Sequence, residues 1–126
     1  MLANGCWDPL HYGHMRHLKA ARQMGSMLIV SVTRDRSVNK GPKRPVFGEQ
    51  ERSEMLQALR FVTGTILADD ALEALEKVKP AVFVKGREYE GKIRADIVEH
   101  CARNGIVISF TDEPVYSSTA LLHHYD

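Results

Sequence analysis

The chain is predicted to fold as one α/β domain over residues 1–126, with a Rossmann-like, doubly wound, five-stranded parallel sheet. Three observations predict it. Five short apolar runs, several rich in β-branched residues, occupy positions 1–3, 28–32, 65–68, 81–84 and 106–110. Between them lie stretches whose apolar residues recur every three to four positions, the spacing of a helix with one buried stripe. Strand and helix alternate throughout, and that order favours parallel strands joined by crossovers, with helices on both faces of the sheet.

Taken in order, the first run begins at the first residue, a start that suits a trimmed domain or one arm of a longer chain. It feeds the loop 5–13 and a helix with Met15, Leu18 and Ala21 on one face. The second run leads into the one long irregular connection, residues 39–47, where Gly41, Pro42 and Pro45 break periodicity and Lys40, Lys43 and Arg44 gather positive charge. Met55, Leu56 and Leu59 mark the second helix. Leu72, Leu75 and Val78 mark the third, and Ile93, Ile97 and Cys101 the fourth. A final helix opens at Ser117-Ser118-Thr119 and carries His123 and His124 on its exposed side. Open parallel sheets bind ligands at the carboxyl ends of their strands. The loops 5–13, 33–48, 85–92 and 111–118 are therefore the place for chemistry.

Composition narrows the partners. Apolar residues make up 44%, charged residues 26%, and the formal net charge is +1, which suits neither a disordered chain nor a strongly basic nucleic-acid binder. No apolar run reaches the roughly 18 residues of a membrane-spanning helix, and the start lacks a basic-then-apolar leader. The expectation is a cytoplasmic protein with a small-molecule ligand, no nucleic acid and no membrane. Cys6 and Cys101 form no C-x-x-C pair and read as buried free thiols.

Directly after the first strand comes Gly5-Cys6-Trp7-Asp8-Pro9-Leu10-His11-Tyr12-Gly13-His14, running into the first helix. A helix start offers unpaired backbone N–H groups and the positive end of the helix dipole, and Gly13 has no side chain to hold an oxyanion away. His11 and His14, three residues apart, share a face and suit phosphate oxygens. Two other readings stand beside this one. The histidines are ordinary polar residues at a helix start, or they join His17 as metal ligands. The latter is disfavoured because three histidines at i, i+3 and i+6 turn around the helix and no carboxylate or thiolate joins them. No G-x-G-x-x-G follows the first strand and no G-K-S/T occurs, so dinucleotide and P-loop sites are disfavoured.

With its neighbours, the His11-Tyr12-Gly13-His14 segment resembles the signature of the cytidylyltransferase-like superfamily. The resemblance continues through Lys40-Gly41, Arg44-Pro45-Val46, Glu51-Arg52, Leu59-Arg60, Val84-Lys85-Gly86 and Tyr89-Glu90-Gly91-Lys92, covering nearly the whole chain. It implies a nucleotidyltransferase that moves a nucleoside monophosphate from a nucleoside triphosphate to a phosphorylated small molecule, with release of pyrophosphate. The implied catalytic set is His11, His14 and Lys40. Nucleotide binding falls to Gly5, Cys6, Trp7, Asp8, Gly13, Lys85, Gly86, Ser117, Ser118 and Thr119. Lys43, Arg44, Arg87 and Tyr89 are candidates for the acceptor. Asp8 has the competing role of capping the turn before Pro9, Lys43 and Arg44 that of a solvated basic loop, Tyr89 that of a loop anchor and Ser118 that of a plain N-cap. Mg²⁺ is expected on the triphosphate, without a protein cage. A homodimer is expected; the resemblance suggests that Arg60 lies near the site or at the dimer contact, and a plain surface arginine is the equal alternative.

Within the superfamily, the heptose adenylyltransferase branch has Lys-Gly-Gly-Asp-Tyr where this chain has Lys85-Gly86-Arg87-Glu88-Tyr89. The second signature, Arg-Thr-Glu-Gly-Ile-Ser-Thr, survives only in its Ser-Thr end. The heptose branch keeps the same portion, which favours heptose 1-phosphate and ATP over the alternative pair of CTP and glycerol 3-phosphate. A catalytically silent nucleotide-binding domain is the alternative of another class. One arm of a bifunctional enzyme is a further possibility.

Overall fold

The structure is a computed structural model and describes residues 1–113. The strands are β1 (Leu2–Gly5), β2 (Ile29–Thr33), β3 (Gly64–Ala68), β4 (Val82–Gly86) and β5 (Val107–Thr111), and the helices are α1 (Tyr12–Arg22), α2 (Glu49–Gln57), α3 (Ala71–Val78) and α4 (Ala95–Arg103). All strand pairs are parallel, in the order β3-β2-β1-β4-β5. The five expected strands all form, each displaced by no more than about two residues, because the apolar runs mark the core and not the last hydrogen bond of the ladder.

β1 lies at the centre of the sheet, so both of its faces are covered. Successive side chains alternate across a strand: Leu2 joins Phe83 and the α3 and α4 residues Ala74, Leu75, Ile97 and Cys101, whereas Ala3 joins Val30, Val32, Val84 and the α1 and α2 residues Leu18, Ala21 and Leu56. Each of these larger apolar side chains withdraws enough surface to contribute about 1.5–3 kcal/mol. The helices are thus shared two and two between the faces, as the doubly wound reading requires.

Local signals account for most helix ends. Asp70 accepts the Glu73 N–H at 3.0 Å and caps α3. Glu51 reaches back to the N–H of Gly48 at 3.1 Å ahead of α2. Lys79 takes a left-handed conformation at the end of α3, with φ 51°, just before Pro80. Two apolar markers fall outside their helices. Leu59 lies past the end of α2 and Ile93 ahead of α4, yet each packs against a core layer from the adjoining turn.

The order of the strands reverses between β1 and β4, which leave their carboxyl ends side by side. That is the switch point where sheets of this kind open a crevice.

Candidate functional site

A cavity of about 520 Å³ opens at this point. Its lining includes Gly5 and Cys6 after β1, His11, Gly13, His14 and His17 from α1, Lys40 from the second loop, and Lys85, Gly86 and Tyr89 at the end of β4. The start of α1 is built by the two histidines themselves. The His11 N–H donates to Nδ1 of His14 and the His14 N–H donates to Nδ1 of His11, both at 3.3 Å. Their rings stack with centroids 3.7 Å apart and planes 16° from parallel. Since both Nδ1 atoms accept, the ring protons sit on Nε2, so each neutral imidazole carries an N–H donor there, that of His11 being buried. Burial, reinforced by His11, Lys40 and His17, pushes the His14 pKa down to about 3. His11 is lowered by burial and then by Lys40. The pair is therefore neutral at pH 7, two imidazoles that carry N–H donors beside the Lys40 side chain.

Trp7 forms the wall behind this pair. Trp7 is 5% exposed and sits at φ 54°, a conformation unusual for a bulky residue, with its indole N–H donating to the Ser31 carbonyl at 2.9 Å. Its ring meets that of His14 edge-on, at a centroid separation of 5.1 Å. Gly5 is confined by the same indole, since a Cβ there would lie 3.0 Å from Cε2 of Trp7.

Asp8 faces away from the cavity. It is fully buried and accepts Nε of Arg44 at 2.8 Å, the N–H of Val46 at 2.8 Å and the N–H of Phe47 at 3.1 Å. Arg44 also donates to the Asp8 carbonyl. Burial pushes the Asp8 carboxyl up, but the Arg44 and backbone hydrogen bonds outweigh it and hold the group below its usual value. Arg52, 1% exposed, completes the junction with hydrogen bonds to the carbonyls of Cys6 and Phe47 and to the Asp35 carboxylate. The loop that carries Lys40 is thus pinned at its far end to the phosphate-type loop.

Among the described residues, the structure gathers one part of the expected set and places Asp8, Lys43, Arg44 and Arg87 outside the cavity lining. His11, His14, Lys40, Gly5, Cys6, Trp7, Gly13, Lys85, Gly86 and Tyr89 line one cavity. Arg44 is spent on Asp8, so neither of them lines it. Lys43 is exposed on the loop and lies outside the lining. Arg87 is turned to Asp112 and Glu90, at 2.8 Å each, and packs over Phe110. Arg60 is an exposed residue near Phe61, away from the cavity. Ser117, Ser118, Thr119, His123 and His124 lie outside the described residues. Cys101 is buried and Cys6 only half-buried, since Cys6 opens onto the cavity.

Several lining residues went unread in the sequence: Asn4, Thr33, Glu88, Thr111 and, as a cavity residue, His17. Thr33 and Thr111 end β2 and β5, and polar residues at strand carboxyl ends were the available signal. Lys85 stands 4.2 Å from the centroid of the Tyr89 ring, and burial lowers its pKa. Among the described residues no group of three or more His, Cys, Asp or Glu is placed to hold a metal ion. No helix among them is long and apolar enough to cross a membrane.

This fold, with paired histidines capping the first helix at the switch point, defines a class, and the sequence match agrees with it. The chain belongs to the cytidylyltransferase-like family, which it matches over residues 2–123. Among individual proteins it is similar to the bifunctional protein HldE of Trichlorobacter lovleyi, 40% identical over 118 residues that cover 89% of this chain and 24% of the relative. The bifunctional protein HldE of Hyphomonas neptunium is 41% identical over 125 residues, 94% of this chain and 25% of the relative. The chain therefore spans about a quarter of the length of these curated relatives. A lipopolysaccharide core biosynthesis protein from Thermoplasma volcanium GSS1 has a similar structure, with TM-score 0.75 and 29% identity, covering 90% of this chain and 96% of that one.

Proposed function

We propose that this chain is a nucleotidyltransferase domain that transfers a nucleoside monophosphate from a nucleoside triphosphate to a phosphorylated sugar, with ATP and a heptose 1-phosphate as the substrate pair. One observation carries the reading: His11, His14 and Lys40 converge on one cavity at the start of α1, supplying hydrogen-bond donors and a cation where a triphosphate would lie. The similarity to proteins named HldE, and to one named for lipopolysaccharide core biosynthesis, supports the choice of acceptor.

The reaction makes modest covalent demands on the protein. An oxygen of the acceptor phosphate attacks the α-phosphorus, the bond between α-phosphorus and bridging oxygen breaks, and the electron pair leaves with pyrophosphate. The two Nε2–H groups hold phosphate oxygens, and their hydrogen bonds strengthen as negative charge moves toward the leaving group. Because each Nδ1 is held by a backbone N–H, neither ring needs to turn as the charge shifts. Lys40 adds a full charge from the facing loop. The histidine and lysine set fits a magnesium ion that arrives on the nucleotide's own oxygens, and such an ion would neutralise the departing pyrophosphate.

Pyrophosphate release from ATP and heptose 1-phosphate, in the presence of magnesium, tests the reading. His14→Ala is expected to lower kcat by roughly a hundredfold, the scale for losing one charge-stabilising donor. The lost cap costs about 1 kcal/mol of stability, so the variant still folds, as circular dichroism would verify. Absence of any nucleotide binding to intact protein refutes the function, and turnover only with CTP refutes the substrate pair.

A further inference from the structure

Besides Tyr89, the cavity holds a polar ring that the phosphate chemistry leaves unused. His17 sits one turn beyond His14 on α1, and because helical side chains tilt toward the helix start it reaches back to the cavity that it lines. Two contacts fix its orientation. The ring lies 25° from the plane of the Trp7 indole, centroids 6.3 Å apart, and Nδ1 stands 2.7 Å from the hydroxyl of Thr111, a residue 3% exposed at the end of β5. Burial, and then the charge of Lys85, lowers its pKa below the ordinary histidine value.

This pairing makes Nε2 ambivalent. When Thr111 donates to Nδ1, Nε2 carries the proton and donates; when Nδ1–H donates to Thr111, Nε2 accepts. A phosphate oxygen only accepts, so it can use just the first of these two states, whereas a hydroxyl, which both donates and accepts, suits either. The surroundings agree with the hydroxyl. His17 shares the lining with Lys85, Tyr89 and the carboxylates of Glu88 and Glu113, a set without the surplus of donors and positive charge found around His11, His14 and Lys40.

We propose that His17, backed by Thr111, is a specificity-determining residue whose Nε2 hydrogen-bonds a hydroxyl of a sugar ring in the cavity. The inference rests on the nucleotidyl-transfer reading. That hydroxyl belongs either to the ribose of the nucleotide or to the sugar of the acceptor, and the experiment separates the two.

Calorimetry with magnesium measures the binding of ATP, 2′-deoxy-ATP and 3′-deoxy-ATP to the unaltered protein, to His17→Phe and to His17→Gln, while kinetics give KM for heptose 1-phosphate. Phenylalanine keeps the ring against Trp7 and removes the hydrogen bond; glutamine restores an amide close to the position of Nε2. A ribose contact predicts that the unaltered protein binds one deoxy form roughly tenfold more weakly than ATP, and that His17→Phe binds ATP equally weakly and no longer distinguishes the two. An acceptor contact predicts unchanged nucleotide binding and a KM for heptose 1-phosphate raised roughly tenfold in His17→Phe. Glutamine should recover most of the loss in either case. Should His17→Phe fail to fold, Thr111→Val with His17→Gln carries the test, the valine weakening the same discrimination. The inference is overturned if His17→Phe keeps every constant within about twofold of the unaltered protein, or if glutamine and phenylalanine lose affinity equally. Failure of the unaltered protein to bind any nucleotide would instead overturn the functional reading beneath it.

Discussion

Replacing Asp8 by asparagine tests whether the buried junction behind the site holds the Lys40 loop in place. The change preserves shape but removes the charge, and it places an amide where the Arg44 guanidinium and two backbone N–H groups now donate. The Arg44 side chain is 5% exposed and the Asp8 side chain 0%, so water cannot take over the lost interaction. Removing one member of a buried ion pair costs about 3–5 kcal/mol; because asparagine keeps one oxygen, the expected loss is about 3 kcal/mol. With an unfolding entropy of about 2.1 cal/mol/K per residue over 126 residues, that corresponds to a fall in Tm of roughly 11 °C. Urea and thermal unfolding of the unaltered protein, Asp8→Asn, Arg44→Met and the double variant form a cycle. The double variant should be less damaged than the sum of the singles by at least about 1.5 kcal/mol, since it leaves no buried charge without its partner. A loss below about 1 kcal/mol in Asp8→Asn, or strict additivity in the cycle, would refute the argument that this pair anchors the loop.

Two other outcomes follow from the same geometry. Stability should fall as pH drops from about 6.5, because the unfolded chain then takes up protons that His14, with its pKa near 3, refuses when folded. The sign is that of a base buried neutral: His14 adds a slope approaching about 1.4 kcal/mol per pH unit between those values, and equilibrium unfolding of His14→Gln should show a shallower curve. Gly5→Ala places a Cβ 3.0 Å from an indole already held by burial and by Ser31, so it should cost about 1–3 kcal/mol in chemical unfolding and shift the emission of the single tryptophan. An alanine variant as stable as the original would show that the indole can give way.

Much of this architecture was legible in the chain itself. Apolar runs and three-to-four spacing are consequences of burial within a few residues of each position, so the five strands, the helices between them and the histidine-bearing helix start could be read locally. Side-chain roles that depend on distant partners could not. Nothing near Arg44 signals that a carboxylate 36 positions earlier will claim it, and its basic neighbours suggested an anion site instead. Arg87 was read as an acceptor contact from its loop at the end of β4, and its pairing with Asp112, 25 positions on, was equally invisible in the local pattern.

His17 shows where local pattern ends and tertiary packing begins. Its place on the helix was plain from its spacing to His14, but its partner Thr111 lies 94 residues away and reaches it through the end of β5. The sequence determined which segments bury, which turn, and which helix start carries paired imidazoles, because those depend on short-range periodicity and on the chemistry of single residues. Only the folded chain decided that β4 settles against β1, opening the cavity between them, and which charged groups would face it. Strand order and ion pairing are set by packing among segments far apart in the chain, where many arrangements share the same local pattern.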